Sequence, residues 1–432
     1  MKKLAGLCLA LALAAGAAFA AGTPDKSPAA AGGVATLRAL SVFQTENPEG
    51  PAEMHVVQEF QKQNTDIKIT FSGVPMNELY AKLTALATAS DLPDAFFMAT
   101  EYKTKAFELG IVENLRNVFP KEQLDAFVPA ALEDASVGDT LVYLPLFATP
   151  PALIYRIDWL EAKKLKPPVT WADFKTVARA FTEDTNKDGR PDRYGFAQLG
   201  MRNGSSAGRF LYMMRTFGIK ELYQKPDKTW ATDIGSPEFK EMLKMFTDFA
   251  VIDKVSPPGV VETGYPEAAQ SFASGLTGMM ITGPNAVGTI YNQNPELKGK
   301  IGSALIPRET QHVSTFGQNG YSFNPKSKHK DAFVRWLTFF TSDSNSLYFN
   351  NVSGRTPTKK SLANSPELNT PAMKGFVEAL NYCYMLPEHP GFPEIQDIIG
   401  EAYQNTIANG MSIDEAASRA RQRALAVIKK YE

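Results

Sequence analysis

The sequence predicts an α/β fold organised in more than one domain. Strand and helix signals alternate from Val34 onward, and 432 residues exceed what one core usually holds. A hydrophobic content of 44% supplies a sizeable interior. Strand–helix–strand alternation at this spacing implies a mostly parallel sheet covered by helices.

Two segments precede that alternation. Lys2 and Lys3 lead into an apolar run from Leu4 to Ala15, then small residues with an A-x-A site at Ala18-Phe19-Ala20. This is the pattern of a cleavable secretory signal peptide, residues 1–20. The run is shorter than the ~20 apolar residues a membrane span needs, and no basic stop-transfer cluster follows. Residues 21–33 are small, Pro- and Gly-rich and aperiodic, as in a flexible leader. Cys8 leaves with the signal, so Cys383 is alone and no intramolecular disulfide forms. No cysteine stands at the cleavage point to carry a lipid, which fits a periplasmic location.

The elements follow in order. Thr36 to Phe43 reads as a strand, Pro51 to Asn64 as a helix with Met54, Val57 and Phe60 on one face, and Asp66 to Phe71 as a second strand. Asn77 to Ser90 is a second helix, Ala95 to Met98 a third strand, and the helix Thr104 to Leu109 stops at Gly110. Leu153 to Tyr155 is strand-like. Thr170 caps a helix from Trp171 to Phe181, with Asp173 in its first turn. Lys300 to Ile306 and Gly320 to Phe323 are strand-like, and Ser412-Ile-Asp-Glu415 opens a terminal helix to Tyr431.

Net charge is −1, so nothing in the charge balance points to a nucleic-acid partner or a polybasic membrane patch. The histidines His55, His312, His329 and His389 show no metal-ligand spacing. There is no G-x-S-x-G, P-loop or G-x-G-x-x-G. Asp184, Asn186, Asp188 and Asp192, with Gly189 between, match the first nine positions of a calcium loop. The twelfth position is Gly195 where a bidentate Glu is required. A weak structural calcium site and a plain Asp-Gly turn both fit. No other cofactor is indicated.

What remains is recognition chemistry. Acid and amide side chains fork onto sugar hydroxyls, and aromatic rings stack on apolar sugar faces. Such groups cluster at strand-to-loop junctions: Phe43-Gln44-Thr45-Glu46-Asn47, Thr100-Glu101-Tyr102, Gly283-Pro284-Asn285 and Gly317-Gln318-Asn319-Gly320. Ligands of open α/β sheets sit in the crevice beyond the strands' carboxyl ends.

Several segments are similar to the sugar-binding family of ABC-transporter solute-binding proteins, to which maltose-binding protein belongs. They are Leu92-Pro-Asp to Ala99, Gly110 to Leu115, Leu144-Pro145 to Arg156 with Leu165 to Trp171, Phe272 to Pro284, and Gly410 to Ala416. The resemblance covers nearly all of Val34 to Glu432. It implies a two-lobe (type II) periplasmic-binding-protein fold with the ligand cleft between lobes. Residues 34–147 plus 308–347 would form lobe 1, and 148–307 plus 348–432 lobe 2. Crossings would fall near Pro145 to Thr149 and Leu305 to Glu309.

Carried over by residue, Phe43 is the aromatic ending the first strand, and Glu46 and Asn47 lie in the first ligand loop. Glu101 matches a carboxylate that accepts sugar hydroxyls in maltose-binding protein. Thr149 stands where that protein has glutamate, and Asn285 where many members have Trp. Both departures point away from a maltodextrin and toward a small sugar, polyol or other polar solute. Tyr80, Tyr102, Tyr382 and Tyr384 are candidate stacking residues, and Gln44, Asn203, Gln318, Asn319 and Arg355 candidate polar contacts. The implied activity is binding by hinge closure, with delivery of a carbohydrate to ABC permease subunits by a monomer that is not an enzyme. The competing classes are a receptor for a sensor kinase on the same scaffold, and a secreted glycan-active enzyme, which needs two carboxylates about 5–10 Å apart.

Overall fold

The computed structural model describes residues 33–46, 48–76, 78–363 and 365–432. The expected signal peptide, the leader up to residue 32 and the candidate Asn47 lie outside the described residues. The strands of the two main sheets are β1 (Ala35–Ser41), β2 (Ile67–Gly73), β3 (Ala95–Ala99), β4 (Leu144–Phe147), β5 (Ala152–Arg156), β6 (Tyr194–Phe196), β7 (Thr277–Thr282), β8 (Ile301–Ala304) and β9 (Asn319–Phe323). One sheet has the order β2-β1-β3-β9-β4 and the other β8-β5-β7-β6.

Both sheets are mixed, which corrects the expectation of mostly parallel pairing. β1 pairs parallel with β2 and β3, whereas β9 runs antiparallel to β3 and β4. In the second sheet β5 is antiparallel to β7 and β8, and only β7–β6 is parallel. The cause is connectivity. Helices α1 (Glu49–Gln63) and α2 (Leu79–Thr88) cross over between β1, β2 and β3, which enforces parallel strands. β9 enters from the other lobe with no such crossover. β1 also stops at Ser41, so Phe43–Thr45 forms a 3-10 turn rather than extending the strand.

The remaining principal helices are α3 (Trp171–Phe181), α4 (Gly204–Thr216), α5 (Pro237–Val251), α6 (Tyr265–Ala273), α7 (Asn285–Gln293), α8 (Lys330–Phe340), α9 (Asp343–Ser353), α10 (Phe392–Ala408) and α11 (Ile413–Tyr431). Local signals set several of their ends. Thr170 Oγ1 accepts from Asp173 N at 3.1 Å while the Asp173 carboxylate accepts from Thr170 N at 3.0 Å, a capping box. Ser412 Oγ accepts from Glu415 N at 3.2 Å and starts α11.

Each sheet has its own core. Leu37, Phe96, Tyr321, Trp336 and Phe349 fill the first, and Trp171, Phe174, Phe210, Phe246 and Tyr403 the second. Trp171 Nε1 donates to Thr216 Oγ1 at 2.9 Å, so the buried indole is satisfied. Burying each such side chain contributes about 1.5–3 kcal/mol, enough for two cores to stand apart.

The chain passes between lobes three times. The first passage, 148–151, lies between β4 and β5. The second lies later than expected. Arg308 N still donates to Val169 O and Thr310 N to Thr216 O, both within the second lobe's reach, and the return occupies 311–318. The third is also later. Phe349 of α9 packs 5.2 Å from Phe43 and from Phe340, inside the first core, and Thr358 Oγ1 donates to Pro145 O at 2.8 Å. Residues 348–360 therefore stay with the first lobe instead of joining the second, because α9 covers an apolar face that only the first sheet presents. By Pro371 the chain is on the second lobe, where its carbonyl accepts from Ser303 N.

The passages are hydrogen-bonded side by side. Ala148 and Thr356 exchange bonds of 2.7 and 3.0 Å, Thr149 N donates to Phe316 O at 2.8 Å, and Ser314 N to Tyr382 O at 2.9 Å. Such a narrow ribbon between two rigid bodies is the form a hinge takes.

Candidate functional site

The carboxyl ends of β1 and β3 form one wall of the cleft. Glu46 follows the 3-10 turn after β1, Glu49 opens α1, and Glu101 follows β3. Arg355, just after α9 on the first lobe, donates to Glu49 Oε1 at 3.0 Å and lies 3.9 Å from Glu46 Oε2. Its guanidinium also covers the Phe147 ring at 4.1 Å. Burial raises the Glu46 pKa, Arg355 opposes the rise and Glu49 adds to it.

Glu101 is an exposed residue lining an interlobe groove, and desolvation there, with a contribution from Asp134, raises its carboxyl pKa. The groove, about 360 Å³, is also lined by Tyr80, Tyr102 and Lys103 from the first lobe and by Leu386 and Glu388 from the second. Tyr80 and Tyr102 stack face to face, 4.1 Å apart at 12°. Lys103 Nζ donates to Asp134 O at 2.7 Å and reaches Glu388 Oε1 at 3.4 Å, an ion pair across the lobes.

The second lobe supplies the opposite wall. Arg209 and Tyr212 lie on α4, Tyr265 opens α6 and Asn285 opens α7. Asn285 Nδ2 donates to Tyr265 Oη at 3.2 Å, and the Arg209 guanidinium lies over the Tyr265 ring at 5.4 Å. Burial raises both tyrosine pKa values. Glu101 of the first wall pushes Tyr212 further up, and Glu49 does the same to Tyr265. The two walls face each other: Lys103 of the first pairs with Glu388 of the second lobe, and Gly354 lies against the Asn285 backbone, where an added Cβ would stand 3.2 Å from Asn285 Cα. Thr149 lies on the hinge between the two walls, its Oγ1 donating to Gly317 O of the neighbouring passage at 2.6 Å.

The structure thus brings together Glu46, Glu101, Tyr80, Tyr102, Thr149, Asn285 and Arg355 from the sequence candidates, with Asn319 at the cleft-side start of β9. Others are placed elsewhere. Phe43 is fully buried against Phe97, Phe147 and Phe349, so it is a core ring and not a stacking platform. Gln44 turns inward to Glu53 Oε2 at 2.7 Å. Gln318 is fully buried and donates to Ala131 O at 2.5 Å. Asn203 caps α4, accepting from Ser206 N at 2.8 Å. Tyr382 is exposed beside His312 on the hinge ribbon. For Phe43, Gln44, Gln318 and Asn203 a closer protein partner holds the side chain or a neighbouring core claims it. Tyr384 lies behind the cleft, its ring 4.1 Å under Arg215.

Glu49, Arg209, Tyr212 and Tyr265 were not anticipated. Their local patterns are those of helix starts and helix faces, and only the tertiary fold turns them to the cleft. None of the four tryptophans lines the groove. Trp159 packs on Phe181, Trp230 on His389, and Trp171 and Trp336 are in the cores.

The calcium-like loop closes on itself. Asp184 accepts from Asp188 N and Gly189 N at 3.1 and 2.8 Å, Asn186 Oδ1 from Asp188 N at 2.9 Å, and Asp192 from Thr185 N and Asn186 N, both at 3.1 Å. Gly189 takes φ +91°, the turn that lets these bonds form. Among the described residues no three His, Cys, Asp or Glu side chains converge to hold a metal ion.

Comparison with known proteins accords with this geometry. The family model described as "Bacterial extracellular solute-binding protein" matches residues 45–346. A binding protein of Brucella abortus is 26% identical over 395 residues, 90% of this chain and 93% of the relative. The maltotriose-binding protein of Pyrococcus abyssi is 25% identical over 356 residues, 79% of this chain and 72% of the relative. The solved structure of maltose-bound T. maritima MalE3 superposes with a TM-score of 0.77 at 22% identity, covering 91% of this chain and all of the other.

Proposed function

Because this chain belongs to the bacterial extracellular solute-binding proteins, we propose that it is the periplasmic binding component of an ABC importer, taking a small carbohydrate or polyol. The ligand bridges the two walls, the lobes close, and the closed form hands the unaltered ligand to a membrane permease. Closure requires that the ligand bind the closed form better than the open one. The observation that carries this reading is the facing of two polar walls from separate sheets across a three-strand hinge. Glu46 and Glu101 supply acceptors from one side, and Asn285, Tyr265 and Arg209 donors from the other. Relatives named for maltose and maltotriose support a saccharide. The absence of any cleft tryptophan among the described residues favours a shorter or more polar ligand than theirs.

A thermal-shift screen of sugars and polyols tests the reading. A ligand at a hundred times its Kd adds about 2.7 kcal/mol of stability. Glu101→Ala is expected to weaken the best hit roughly tenfold or more, the range for hydrogen bonds to a charged group. Chemical conversion of the ligand, or small-angle scattering that does not contract at saturation, would overturn the proposal.

A further inference from the structure

One charge in the cleft has no counterpart. The other buried or half-buried arginines each hold a carboxylate. Arg156 pairs with Asp158 at 2.5 Å, Arg215 with Glu221 at 2.6 Å, Arg335 with Asp66 at 2.7 Å and Arg355 with Glu49 at 3.0 Å. Among the described residues Arg209 has no carboxylate within 4.0 Å; its bonds go to neutral groups. Its Nε donates to Ile281 O at 3.1 Å, and one terminal nitrogen donates to Ser205 O and Oγ at 2.8 and 2.7 Å. The other terminal nitrogen reaches only Thr282 Oγ1, at 3.5 Å. Burial lowers the guanidinium pKa, but a guanidinium stays charged in proteins.

Enclosing a charge without an opposite one is costly, and an anionic ligand in the cleft would supply the missing partner. The position fits this. The Arg209 guanidinium lies over the Tyr265 ring at 5.4 Å, and Tyr212 is on the same helix, α4. Asn285 and Thr282 stand beside it as neutral partners.

We propose that the free edge of Arg209 binds a carboxylate of the ligand, which makes that ligand an acidic sugar of the uronate class. The inference rests on the reading of the cleft as a sugar site and narrows it. Glu101, on the other wall, accepts the hydroxyls of the same sugar. Glu46, Glu49 and Glu101 outnumber Arg209 and Arg355 around the cleft, so a single negative charge aimed at Arg209 is tolerated where a dianionic phosphate ester is repelled.

The test is titration calorimetry of the purified protein with matched pairs: glucuronate against glucose and galacturonate against galactose, with glucose 6-phosphate as the third arm. At least one uronate is expected to bind roughly tenfold or more tighter than its neutral parent, the range for a charge-assisted hydrogen bond. Arg209→Gln is expected to bring that ratio close to one, and Arg209→Lys to retain part of it. The wild-type ratio stands as a readout if the variants fail to fold. A neutral parent that binds as well as its uronate, a preference for the phosphate ester, or an unchanged ratio in Arg209→Gln would overturn this inference while leaving the sugar site intact. No binding in any arm would sink both.

Discussion

Glu53→Gln should flatten the pH dependence of stability in a defined window. Glu53 lies on α1 with no exposed surface, one turn from Glu49. Its carboxylate accepts from Ser41 Oγ at 2.8 Å, Gln44 Nε2 at 2.7 Å and the Tyr321 hydroxyl. These bonds favour the charged form, but burial outweighs them and lifts the pKa from 4.5 to about 7. The folded state therefore binds a proton that the unfolded chain has released. Stability from this group is fully present below pH 4.5 and is lost as pH rises through about 7. At about 1.4 kcal/mol per pH unit, the loss across that window is about 3 kcal/mol. The assay is urea unfolding of wild type and variant at several pH values between 4.5 and 8. The variant is expected to gain relative to wild type by up to ~3 kcal/mol between the two ends. Parallel curves, with a constant difference at every pH, would refute the idea that a buried proton sits on Glu53.

Further expectations follow from the packing and the hinge. Phe43→Ala should cost about 3–5 kcal/mol by chemical denaturation, since the ring is fully buried among Phe97, Phe147 and Phe349. A loss of affinity with no loss of stability would instead restore it to the ligand site. Gly317→Ala should impair the hinge. Gly317 takes φ +51°, and an added Cβ would stand 2.7 Å from Thr149 Oγ1. A destabilisation of about 1 kcal/mol together with reduced contraction on ligand binding, seen by scattering, is the expected result. Wild-type closure in that variant would show that the ribbon at Thr149 is not the pivot.

Much of the fold was legible in the linear pattern because its causes are local. The Thr170 and Ser412 caps, the apolar runs of β1 and β3 and the helix break at Gly110 depend on neighbours a few residues away. The expectation of a first interlobe passage came from the family-like stretch around Leu144 to Arg156. The later passages were not legible. Phe349 could cover either sheet as far as its own segment is concerned, and only the shape of the first core decides that α9 stays there.

The site divides in the same way. Residue type and loop position alone pointed to Glu46, Glu101 and Asn285, since strand ends in an open sheet face the crevice whatever the rest of the chain does. The fate of Phe43, Gln318 and Asn203 rested on partners more than a hundred residues off or on a helix start next door, which composition does not encode. Arg209 looked like any charged residue on a helix. Its lack of a carboxylate is a property of three-dimensional neighbours, and so the sequence determined that two α/β lobes enclose a polar cleft, while the tertiary packing decided which charges face each other across it.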